Sequence, residues 1–186
     1  LERLVTPKTK ALWVNFPSNP TGQGATREEL VAIVSFAKQH GLILLYDNAY
    51  SEITFDGFTA PSILEVHGAC DIAVEIGSFS KTFSFAGLRI GWVAGRADVI
   101  AALAKAKSQM DSGLSMPIQH LGAFAHYHKD KEWHANMIAT YRKRRDKITA
   151  LLDKLGLTFD LPKGSLYIWA KIPDGEENCE AFSMRI

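Results

Sequence analysis

The chain of 186 residues is 47% hydrophobic and 22% charged, with a formal net charge of +1. This is the balance of a soluble globular protein, and it supplies no global field for nucleic acid or an anionic membrane. The two cysteines, Cys70 and Cys179, make neither a disulfide framework nor a metal-spaced pair and suit a reducing cytoplasm, while no apolar run approaches the roughly 18 residues that span a bilayer.

Leu1–Lys10 carries charges but no apolar core segment, so it does not read as a signal peptide. Ala11–Phe16 is a short apolar run and predicts a buried strand. Pro17–Gly24, with two prolines and two glycines, predicts a turn cluster. Thr26, followed three residues later by Glu29, has the form of a capping box. Leu30, Ile33, Val34 and Ala37 then give a helical stripe that Gly41 stops. Leu42–Tyr46 predicts a second strand, covered on both faces, with Asp47 at its end. Ile72–Ile76 predicts a third, ending at Gly77–Lys81, and Arg89–Gly95 a fourth. A helix is expected from Ala97 to about Met110. Another has Pro117 in its first turn, and a long one runs from about Glu132 to Lys154, closed by Gly156. Thr158–Ile172 predicts a hairpin interrupted by Pro162–Gly164.

Strands alternating with helices predict an α/β fold, a mostly parallel sheet with helices on both faces. The last third shifts to long helix plus hairpin. It predicts the start of a smaller α+β domain near Tyr141, dividing the chain into residues 1–140 and 141–186. The chain opens on Leu1 and closes in mid-pattern at Phe182–Ile186, so it reads as part of a longer protein.

In open α/β sheets ligands bind beyond the carboxyl ends of the strands. Asn19 follows the first strand here, Asp47 and Tyr50 the second, and Ser78, Ser80 and Lys81 the third. Each residue alone has a plain structural explanation: a cap, a turn, a surface charge. Together they bring an amide, a carboxylate, a phenol, hydroxyls and an amine to one edge. Tyr46, Phe55, Phe58, Phe79, Phe83 and Phe85 are expected to pack the core and loops. His120, His126, His128 and His134 lack metal-ligand spacing, so no metal site is expected. Tyr141–Arg145 reads as a solvated helix face.

The segments Asn19-Pro-Thr-Gly22, Asp47-Asn-Ala-Tyr50, Ser78-Phe-Ser-Lys81 running on to Gly87-Leu-Arg-Ile-Gly91, and Gly164-Ser-Leu-Tyr-Ile-Trp169 resemble the class I and II aminotransferases of the fold-type I pyridoxal-phosphate superfamily. The resemblance implies pyridoxal 5'-phosphate as cofactor. Lys81 would hold its aldehyde as an imine and later move protons. Asp47 would pair with the ring nitrogen, and Asn19 and Tyr50 would hydrogen-bond the phenolic oxygen of the ring. Ser78, Ser80 and Arg89 would hold the phosphate. Lys81, Asp47 and Tyr50 are thus the expected catalytic residues.

Asp47–Gly57 and Gln109–Gly113 look like the branch that contains LL-diaminopimelate aminotransferases and related aspartate or alanine enzymes. The implied partners are an amino acid, a 2-oxo acid and a second copy of the chain in a homodimer. A β-lyase on the same cradle, or a pyridoxal-phosphate-binding regulator domain, stays open at this point. Members of the family are longer, and the arginine that grips the substrate carboxylate lies outside these residues.

Overall fold

Thr26 begins the first helix as its spacing with Glu29 requires. Its hydroxyl accepts the Glu29 N–H at 3.2 Å, and Glu29 Oε2 accepts the Thr26 N–H at 2.7 Å. In the computed structural model, which describes residues 1–186, strand β1 is Ala11–Asn15, helix α1 Arg27–Gln39 and β2 Ile43–Asp47. β3 is Ala73–Ser78, α2 Phe79–Thr82 and β4 Gly91–Gly95. Helices α3 (Ala97–Lys107), α4 (Met116–Tyr127) and α5 (Lys131–Lys154) follow. Then come β5 (Thr158–Phe159), β6 (Ala170–Lys171) and α6 (Cys179–Ser183).

The main sheet has the order β1-β2-β3-β4. β1, β2 and β3 are parallel, and β4 returns antiparallel to β3. Register sets Val14 beside Tyr46 and Tyr46 beside Glu75, and Asn15 beside Asp47 and Asp47 beside Ile76. Side chains alternate across the pleat. Leu12, Val14, Leu44, Tyr46 and Ala73 therefore meet Leu30, Val34 and Ala37 of α1 in the core on one face. On the other face Ile76 and Val93 share a cleft of about 410 Å³ with Ile100 and Leu103 of α3.

Three strand boundaries differ from expectation in ways that bear on the site. β2 extends to include Asp47, and β3 extends to Ser78, which pairs with Gly91. The fourth strand begins at Gly91 rather than Arg89, because Arg89 takes a left-handed conformation (φ 56°) that no strand accommodates. Among these residues β1 stands last in the sheet order, with Trp13 59% exposed.

β5 and β6 pair over two residues each. The loop between them docks back on the sheet end: Lys163 and Gly164 N–H both donate to the Gly22 carbonyl, at 2.9 and 3.1 Å. Gly22 has φ +69°, and a Cβ there would lie 2.6 Å from Pro162 Cβ. Only glycine gives that turn both its conformation and its close approach. The charge run on α5 is solvated at Arg142, Lys143 and Arg144, but Arg145 is buried. Arg145 and Thr149 stand one helical turn apart on the inner face. Arg145 there pairs with Asp56 at 2.6 Å and Asp146 at 2.7 Å.

Candidate active site

The carboxyl ends of β1, β2 and β3 lie side by side because the strands are parallel and in register. Asn15 joins two of the segments that follow them. Its Nδ2 donates to the Asp47 carbonyl at 2.9 Å, and its Oδ1 accepts the Asn19 N–H at 2.7 Å. The turn bearing Asn19 is thereby held against the strand that ends in Asp47. Alternation along the strands puts Asp47 and Ser78 on the same face of the sheet, the face of Ile76. Asp47 Oδ1 accepts the Ala49 N–H at 3.3 Å, a local turn bond.

Tyr50 is only 5% exposed. Its hydroxyl donates to the Tyr167 hydroxyl at 3.3 Å, and the rings meet edge to face with centroids 6.0 Å apart. Burial first, then the hydrogen bond and proximity of Tyr167 and the charge of Asp47, hold the Tyr50 phenol proton far above its ordinary range; the Asn19 side chain works weakly the other way. Tyr50 therefore acts near neutral pH as a protonated phenol, a donor.

Ser78 is the cap of the short helix α2, its hydroxyl accepting the Ser80 N–H at 3.2 Å. α2 carries Lys81, whose Nζ lies 5.6 Å from the centroid of the Tyr50 ring. The Ile90 carbonyl accepts the Phe79 N–H at 3.2 Å. That bond brings Arg89 alongside the Ser78–Lys81 turn, where Arg89 Nη1 donates to the Ala86 carbonyl at 2.8 Å. Asp47, Lys81 and Arg89 are ionisable groups at one sheet edge, and none of them belongs to any of the ion pairs in the chain. Such a donor set suits a ligand with an anionic group, a carbonyl and a basic ring nitrogen.

The seven residues expected at the site, Asn19, Asp47, Tyr50, Ser78, Ser80, Lys81 and Arg89, thus lie on adjoining strand ends and turns. Sequence reading missed two that organise them. Asn15 looked like the tail of an apolar strand. Tyr167 belonged to the quoted Gly164–Trp169 segment, but its pairing with Tyr50 spans 117 residues and no local pattern carries it.

The family model for aminotransferase class I and II matches residues 1–184. An LL-diaminopimelate aminotransferase 2 of Trichormus variabilis is 42% identical over 176 residues, covering 95% of this chain and 45% of that protein. An LL-diaminopimelate aminotransferase of Gloeobacter violaceus is 43% identical and covers 91% and 43%. Among solved structures, an N-succinyldiaminopimelate aminotransferase from Mycobacterium tuberculosis superposes with a TM-score of 0.89 at 31% identity, covering 98% of this chain and 49% of that one. The chain spans a little under half the length of these curated relatives. With the family model matching residues 1–184 and its mixed α/β sheet like that of the solved relatives, the chain belongs to the class I and II aminotransferases.

Proposed function

We propose that the protein of which this chain forms part is a pyridoxal-phosphate-dependent aminotransferase, moving an amino group between an amino acid and a 2-oxo acid. The observation that carries this reading is Lys81 over the Tyr50 ring, on the sheet edge that also carries Asp47 and Arg89, with none of the three ionisable groups in an ion pair. Pyridoxal phosphate, when bound, supplies an aldehyde and an electron-withdrawing ring.

The residues fit that group. Arg89, with the hydroxyls of Ser78 and Ser80, offers a forked cation and neutral donors for a phosphate. Asp47 offers a carboxylate for a protonated ring nitrogen. Asn19 offers an amide N–H to a ring oxygen, and Tyr50, kept as a phenol, can offer its one O–H there by turning it away from Tyr167. Lys81 is the one primary amine among them and takes the covalent and proton-transfer roles at Nζ. The Tyr50 ring under Nζ limits where that amine can swing.

For the substrate, relatives named LL-diaminopimelate aminotransferases support a donor such as LL-diaminopimelate, with aspartate or alanine as related choices. We place the division between the cofactor-binding part (1–140) and the smaller domain (141–186) at Tyr141. It falls within the continuous helix α5, and the β5–β6 pair beyond it forms a sheet of its own. A homodimer is the assembly that the family resemblance implies. A cytoplasmic location is supported by two free, exposed thiols.

The test is spectroscopic. Full-length protein with pyridoxal phosphate is expected to show a visible absorption band that Lys81→Ala abolishes, and to transfer amino groups to a panel of 2-oxo acids. A band that persists in Lys81→Ala refutes the assignment of Lys81. Release of pyruvate or ammonia without transfer refutes the aminotransferase reading.

A further inference from the structure

Glu75 sits in the middle of β3 and is only 4% exposed. A carboxylate is seldom buried without partners. Glu75 has no cation, but three donors face it. Asn48 Nδ2 donates to Oε1 at 2.9 Å, while the Ser62 hydroxyl and the Ile63 N–H donate to Oε2 at 2.5 and 3.1 Å. The donors come from two places. Ser62 and Ile63 open a short turn over the core, whereas Asn48 is the residue directly after Asp47.

The pleat explains why this matters. Glu75 lies on the face opposite Asp47 and Ser78, so its bond to Asn48 holds the strand end from behind. Asn48 is also tied through its main chain, its N–H donating to the Ile76 carbonyl at 2.9 Å. Its Oδ1 is buried with no partner.

We infer that Glu75 is a positioning residue: through Asn48 it clamps the Asp47–Tyr50 turn against β3, and so fixes Asp47 and Tyr50 relative to Lys81 on the segment that β3 leads into. The inference rests on the functional reading above. Glu75 touches no reacting atom; it sets where the Asp47 carboxylate stands.

The experiment uses full-length protein titrated with pyridoxal phosphate, alongside thermal melts of the cofactor-free forms. Asn48→Ala cuts the clamp on the site side, and Ser62→Ala cuts it on the core side. Glu75→Gln can keep the link, because Asn48 can turn its free Oδ1 toward the new amide. Asn48→Ala and Glu75→Ala, which remove the two ends of the same bond, are each expected to weaken cofactor affinity about tenfold, the size typical of losing an orienting partner; weakening by Asn48→Ala but not by Glu75→Ala would overturn the role of Glu75. Ser62→Ala and Glu75→Gln are expected to stay within about twofold of wild type, a change of under half a kcal/mol. Equal weakening by Ser62→Ala and Asn48→Ala, or a lower melting temperature in Asn48→Ala with unchanged affinity, would reduce Glu75 to a core partner and overturn the inference. A wild-type protein without a Lys81-dependent band overturns the functional reading, and this one with it. With that band present, the variants judge Glu75 alone.

Discussion

Arg145→Met should destabilise the protein by about 3 kcal/mol, and the figure follows from what the guanidinium touches. Methionine retains much of the aliphatic stem, so the loss lies in the head group. Asp56 and Asp146 have side chains 51% and 55% exposed, and water recovers much of each pair, leaving about 0–1 kcal/mol apiece. The Pro162 carbonyl, 3.3 Å from Nη1, regains water less readily, and leaving it bare costs about 1 kcal/mol. The guanidinium carbon is 4.8 Å from the centroid of the Phe55 ring, a cation–π contact of about 1 kcal/mol when partly desolvated. With a urea slope of about 2–3 kcal/mol/M, the unfolding midpoint followed by circular dichroism should fall by roughly 1 M. Lysine at 145 keeps a charge but not the fork, and should lie between the two. An unchanged or higher midpoint in Arg145→Met would refute the reasoning: desolvating the guanidinium would then cancel everything it touches.

Two further outcomes are expected. The Asp56 carboxyl is held below its ordinary 3.8, chiefly by the hydrogen bond from Arg145. Its contribution is therefore complete above 3.8 and lost as pH falls through the lowered folded-state value, so Asp56→Asn should flatten the acid loss of stability in urea melts below about pH 4; an unaltered acid limb would contradict it. Thr26→Ala removes the acceptor for the Glu29 N–H and should cost about 1 kcal/mol by the same melts, with no effect on cofactor uptake.

Much of the site was legible because parallel strands impose a simple rule: chemistry collects where they end. Asp47 and the Ser78–Lys81 turn could be placed from apolar runs and the residues that close them. Thr26 and Glu29 announced a helix start through local hydrogen bonding alone. What sequence could not convey depends on distance along the chain. Arg145 looked like one member of a solvated run, since only docking of α5 against Asp56 and Pro162 distinguishes it from Arg144. Tyr167 and Tyr50 meet through a fold-back that neither segment encodes by itself. Glu75 is the one charge within Ala73–Ile76, and its side-chain partners at 48 and 62 are non-local.

The Gly22 carbonyl, held by Lys163 and Gly164, and Tyr50, held by Tyr167, have a consequence for the order of events during synthesis. The turn bearing Asn19 and the phenol beside Lys81 leave the ribosome long before their partners do. With 117 residues between Tyr50 and Tyr167, and about 5–20 residues added per second, Tyr50 waits on the order of ten seconds for the hydroxyl it bonds. Until then the strand ends can assemble, but the Tyr50 hydroxyl stays without Tyr167 and open to whatever reaches it first.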